Sequence, residues 1–149
     1  MEKVDEIRRE IAIDAPIERV WRAVSSPEEI GLWFGDVTEV ELHPGGAARF
    51  GWTEYEHVFD AVIVTVEEPY RFAYRWALEP HKPLEESLNT LVEFTLQSHG
   101  AGTTLTLVES GFAELTDLQY EKHFAPNSDG WKSELEDLKI YLAGVRPIA

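Results

Sequence analysis

Metal ligation, nucleophilic attack and proton transfer each need particular side chains, and the 149 residues offer few of them. Cysteine is absent, which excludes thiolate ligands, a cysteine nucleophile and a disulfide framework together. The five histidines, His43, His57, His81, His99 and His123, include no i, i+4 pair and no carboxylate-histidine motif, so no metal site is expected. No Gly-x-Ser-x-Gly nucleophile motif occurs. Gly45-Gly46 and Gly100-x-Gly102 lack the phosphate-cradling patterns and read as turn glycines, so no cofactor is expected either. The most informative polar residue is Glu109, which shares strand parity with Leu105 and Leu107. Either it points to the mouth of an interior cavity or the strand has ended and it is solvated. An acid-base enzyme would need two titratable groups facing each other, and His57 is the only plausible partner for Glu109.

Aromatic residues are the stronger lead: five Trp, five Tyr and seven Phe, many of them on the central hairpins. Each supplies a large apolar area, and core filling is the ordinary role of any one of them. A few could instead line a small-molecule pocket with rings and polar tips. Phe72, Tyr74 and Trp76 share one parity, and the ligand-contacting candidates are Trp33, Phe50, Trp52, His57, Phe72, Tyr74, Trp76, Glu109 and Trp131. Arg49 and Glu54 could reach the same space, but their faces depend on strand register, which stays open. Glu85, Glu86, Glu134, Glu136 and Asp137 read as solvated surface.

The elements that must position these residues follow from periodicity. Ile7, Ile11 and Ile13 mark a first strand over residues 7–13. Pro16 suits the first position of a helix carrying Ile17, Val20, Trp21 and Val24. Ser26 and Glu29 form a capping-box pattern that opens a second short helix, running to about Trp33 and closed by Gly35. Period-two runs then cover 37–42, 47–52, 58–66, 71–78, 90–96 and 103–109, with turn chemistry between them: a six-strand antiparallel meander. Residues 79–87, with Pro80 and Pro83, form the longest loop. Helical character returns weakly over 115–125 and clearly from Ser128, where Trp131, Leu135, Leu138 and Leu142 make one apolar stripe. Gly144 is the expected stop, with Pro147 beyond it.

Composition bounds the partners. One domain over residues 1–149 is expected, with 44% hydrophobic and 28% charged residues as in a soluble globular chain. Twenty-eight acidic residues against 13 basic ones leave a net charge of −15. No Lys or Arg lies between Pro83 and Glu121, so nucleic acid and anionic membranes are not expected partners. Residues 1–10 lack the apolar stretch of a secretory signal, and the longest apolar-rich run, 61–66, is too short to span a bilayer. A cytoplasmic protein without membrane insertion is expected.

The order of strand, two short helices, six strands and long helix resembles the helix-grip fold of the START and birch-pollen-allergen-like (SRPBCC) superfamily. That resemblance implies an α+β domain whose curved antiparallel sheet wraps a long C-terminal helix around a cavity. Four stretches are similar to the branch named for the activator of the ATPase of the 90-kDa heat-shock protein: Ala15-Pro16-Ile17-Glu18-Arg19-Val20-Trp21-Arg22-Ala23-Val24, Pro27-Glu28-Glu29-Ile30-Gly31-Leu32-Trp33-Phe34, Pro44-Gly45-Gly46, and Gly130-Trp131-Lys132-Ser133-Glu134-Leu135-Glu136-Asp137-Leu138. The eukaryotic co-chaperone naming that branch carries a further N-terminal domain for which 149 residues leave no room, so chaperone activation is not expected to transfer. The resemblance implies a non-enzymatic protein binding a small apolar, aromatic or lipid-like ligand between sheet and helix. The alternatives are a cyclase or dehydratase using the same cavity, and an interaction module whose acidic face docks a basic protein; a homodimer stays open.

Overall fold

The structure, a computed structural model, describes residues 2–144. Pro147, expected beyond the final helix, lies outside them. Strand β1 (Glu6–Ile13) is followed by helices α1 (Ile17–Ser25) and α2 (Pro27–Trp33). Strands β2 (Val37–Val40), β3 (Ala47–Trp52), β4 (His57–Glu67), β5 (Arg71–Ala77), β6 (Asn89–His99) and β7 (Gly102–Ser110) come next, and helix α3 (Asp117–Gly144) ends the described chain. The strands form one antiparallel sheet in the order β1-β7-β6-β5-β4-β3-β2. This is the helix-grip architecture, an α+β fold with the sheet curved around α3.

The strands form where one face can be buried. In β7 every second residue from Thr103 to Glu109 is buried, and on β5 Phe72, Tyr74 and Trp76 turn the same way. Strand β4 shifts register between Ile63 and Thr65, the irregularity that lets an eleven-residue strand bend with the sheet. Because β1 and β2 occupy opposite edges, α1 and α2 carry the chain from one edge to the other. They bury Ile17, Val20, Trp21, Val24, Ile30 and Trp33 in doing so.

Two local expectations need correction. Ser26 precedes α2, but its hydroxyl donates to Glu28 Oε2 at 2.8 Å and makes no cap, while Glu29 turns to Arg19 and Tyr141. Glu29 Oε1 accepts from Arg19 Nη1 at 2.6 Å and from the Tyr141 hydroxyl at 2.8 Å, charge-assisted bonds joining α1, α2 and α3 that outweigh one backbone bond. The reciprocal capping box opens α3 instead: Thr116 Oγ1 accepts from Gln119 N–H, and Gln119 Oε1 from Thr116 N–H. Second, α3 is continuous through Pro126 and not broken before Ser128. Phe124 packs edge-on against Phe112 at 5.1 Å, so burial on both sides of the proline offsets the helix bond it removes.

Gly35 lies just past the end of α2 at Trp33, as expected, and without a left-handed backbone; the positive-φ glycines are Gly45, Gly100 and Gly111. It is needed for space, since a Cβ there would lie 2.5 Å from the Gly51 carbonyl oxygen. The close approach lets Trp52 Nε1 donate to the Phe34 carbonyl at 2.8 Å and Asp36 Oδ1 accept from Thr53 N–H at 2.8 Å, pinning the end of α2 to β3. Gly35→Ala is expected to lower the unfolding free energy by about 1–3 kcal/mol through overpacking against rigid backbone. Urea denaturation measures it, and an unchanged midpoint would show that the two segments can separate at no cost.

Candidate functional site

Glu109 is neither solvated nor at a cavity mouth. Its place near the end of β7, opposite Ile7 and Val92, turns it inward, and it is 0% exposed. Four side chains donate to it. Trp76 Nε1 reaches Oε2 at 3.0 Å and Thr90 Oγ1 reaches the same oxygen at 2.5 Å. Trp131 Nε1 reaches Oε1 at 2.8 Å, and Asn127 Nδ2 lies 3.1 Å from Oε2. Burial pushes the carboxyl above its ordinary range, and these four bonds oppose that rise. One side chain thereby ties β5, β6 and α3 together and sets the planes of two indoles.

Those indoles form the floor of a cleft of about 270 Å³. Phe34 stacks on Trp131 at 5.2 Å with 11° between planes, while Trp76 and Trp131 lie 5.9 Å apart. Trp52 meets Phe34 edge-on at 5.1 Å, and Phe59 closes the ring set 6.1 Å from Trp52 and 5.9 Å from Trp76. Tyr55 stands at the edge, and α3 contributes Pro126, Asn127, Gly130, Trp131 and Glu134.

Of the sequence candidates, the structure brings Trp52, Trp76 and Trp131 to this cleft. Glu109 stands behind it, bonded to two of its rings. Phe50, Phe72 and Tyr74 are core residues: the strand parity that turned them inward placed them deeper, under the helices. Trp33 is also buried; its Nε1 donates to the Ala23 carbonyl at 2.8 Å and it borders a separate depression beside Asp36 and Glu54. His57 is exposed, edge-on to Phe59 at 5.8 Å, and none of the Glu109 hydrogen bonds involves it. The two do not form an acid-base pair. Arg49 faces away from the core and pairs with Asp60 at 3.3 Å, in a groove of about 570 Å³ on the outer side of β2, β3 and β4.

The residues that sequence reasoning missed are Phe34, Tyr55, Phe59, Asn127 and above all Glu134. The last was read as solvated surface, yet it lines the cleft half-buried, and its Oε2 is shut off from water without a hydrogen-bond partner. A signal existed: Asn127, Trp131 and Glu134 fall at i, i+4 and i+7, one face of a helix. Among the described residues no group of three or more His, Cys, Asp or Glu could hold a metal, and no helix is long and apolar enough to cross a membrane.

The family model for Activator of Hsp90 ATPase homolog 1-like proteins matches residues 14–143, nearly the whole chain. The chain belongs to this family. No curated protein matches the sequence. Solved structures with a similar fold include a Mesorhizobium loti protein at 24% identity and TM-score 0.81, covering 95% of this chain and 98% of that one. The Aha1 dimer from Colwellia psychrerythraea aligns at 19% identity and TM-score 0.77, over 96% of this chain and all of that one. DynU16, a protein in the dynemicin biosynthetic locus, aligns at 24% and 0.76 over 97% of this chain, which spans about half of that longer one, 49%. Likeness at these identities is likeness of fold.

Within this Activator of Hsp90 ATPase homolog 1-like domain the carboxyls differ in environment. Desolvation, reinforced by the charge of Asp137, pushes Glu134 up to about 7. It holds its proton more tightly folded than unfolded. The resulting stabilisation is full below the ordinary value of 4.5 and is lost as the pH rises through about 7. Glu134→Gln is therefore expected to gain thermal stability over the parent at about pH 8, with the gain closing towards pH 4; a difference independent of pH would place the carboxyl in open water. Glu109→Gln should cost about 1–3 kcal/mol in urea unfolding, because the new NH₂ must face a donor. An unaltered midpoint would show that the four donors do not depend on the anion.

Proposed function

We propose that this protein binds a small, mostly apolar, ring-bearing molecule in the cleft between the end of the sheet and α3, and performs no chemistry on it. The observation that supports this best is the cleft wall: Phe34, Trp52, Phe59, Trp76 and Trp131 surround one space, with two of the indoles oriented by a buried carboxylate. Rings fixed before the ligand arrives lose little freedom on binding, so their contact area converts more fully into affinity. A volume of about 270 Å³ suits one or two rings and not a long acyl chain.

The cyclase or dehydratase alternative needed Glu109 and His57 to converge on a substrate. Glu109 is already engaged by four donors and His57 is not among the lining residues, so the cleft holds one carboxyl, Glu134, with no second carboxyl and no histidine beside it among the lining residues.

In titrations of tryptophan emission, 1-naphthylmethanol should quench saturably, and Phe59→Ala should weaken its binding about tenfold, the loss expected when one ring wall of roughly 1.5 kcal/mol is removed. Leu118→Ala, on an exposed position of α3, should leave binding unchanged. Absence of quenching, or quenching that survives both Phe59→Ala and Trp52→Ala, would reject this cleft as the binding site.

A further inference from the structure

The ring-lined cleft holds one charged group that the fold itself leaves without a partner. Glu134 lines it from α3, and its Oε2 is buried and receives no hydrogen bond. No Lys, Arg or His is among the lining residues, and among the described residues Glu134 makes no ion pair. An acceptor withdrawn from water without a donor is costly, so a ligand that supplies the donor gains what the apo protein lacks. The neighbouring Asn127 does not serve: its amide nitrogen is directed at Glu109.

The rest of the site has the same preference. Ring faces carry negative charge and attract cations, most strongly those of Trp, and three of the six aromatic residues lining the cleft carry indoles. Asp137 lies one turn further along α3, and the chain carries a net charge of −15, a field that concentrates cations at its surface and repels carboxylates. The carboxyl of a glutamate turns easily about its last bond, so the orphaned oxygen can be presented to a ligand without repacking α3.

We propose that the cleft selects amines: one- or two-ring molecules bearing a primary or secondary ammonium, whose N–H donates to the unpartnered Glu134 carboxylate while the rings pack against Trp52, Phe59 and Trp76. The inference rests on the reading of the cleft as a small-molecule site and names the class of ligand that site takes. Apolar contact supplies the common part of the affinity and Glu134 supplies the discrimination between ligands of one shape.

A matched series tests it: 1-naphthylmethylamine, 1-naphthylmethanol and 1-naphthoate, titrated calorimetrically into the full chain and into Glu134→Gln at about pH 8, where the amine is charged and Glu134 ionised. The amine should bind the parent at least tenfold more tightly than the alcohol, and the naphthoate most weakly. Glu134→Gln should bring the amine to the level of the alcohol while the alcohol's own affinity stays as it was. Equal affinity of amine and alcohol for the parent, or a preference that persists in Glu134→Gln, overturns the amine assignment and leaves the ring-lined site standing. Failure of all three compounds to bind overturns both readings at once.

Discussion

The arrangement depends on one buried anion. Glu109 lies in the dry side of the sheet, where an unpaired carboxylate is prohibitively costly, and it is tolerated because Trp76, Thr90, Asn127 and Trp131 converge on it. The dependence runs both ways. Two indole N–H groups from different elements would themselves be buried donors without an acceptor, so carboxylate and rings can only be buried together. Because Trp76 comes from the sheet and Trp131 from α3, satisfying the anion also fixes how the helix lies over the strands. The planes of the cleft floor follow from that, and a purely apolar contact would not specify them as tightly.

Much of this was legible in the order of residues. One buried face per strand imposes period two, so the meander and the shared parity of Phe72, Tyr74 and Trp76 could be read from the sequence, while parity left Glu109 open between a cavity mouth and solvent because it does not say where β7 ends. Parity gives a face but not a depth. Phe50, Phe72 and Tyr74 point to the same side as Trp76, and only the position of α1, α2 and α3 above them decides that they are core while Trp76 meets the cleft. The capping pattern at Ser26 failed because a long-range partner, Tyr141, competes for Glu29, and local pattern rules do not see partners 112 residues away. Glu134 failed for a related reason: in a run of acidic helix residues nothing local separates the one that faces a gap in the packing from those that face water.

Family membership and site chemistry therefore rest on different parts of the chain. The shared fold needs the alternation of the strands, the α1 and α2 crossing and the apolar stripe of Trp131, Leu135 and Leu138. The properties of the cleft are set by Phe34 just past the end of α2, by the β3–β4 hairpin that carries Trp52 and Phe59, and by the two turns of α3 that carry Asn127 and Glu134 on the face of Trp131. Neighbours with the same architecture and under 25% identity can differ at every one of these positions and keep the fold.

The placement of β1 has a kinetic consequence. Strands β2 to β7 pair with their neighbours in sequence, so the meander can assemble through short hairpins. Strand β1 pairs with β7, joining Ile7 to Glu109 and Ile13 to Thr103 across roughly two thirds of the chain. Closing so long a loop costs entropy before any contact repays it, and such contacts slow folding. Pairing of the N-terminal strand is thus the longest-range closure within the sheet, and it covers the open edge of β7. With β1 unpaired, β7 presents an open strand edge beside the apolar face of the sheet, the kind of surface that invites self-association.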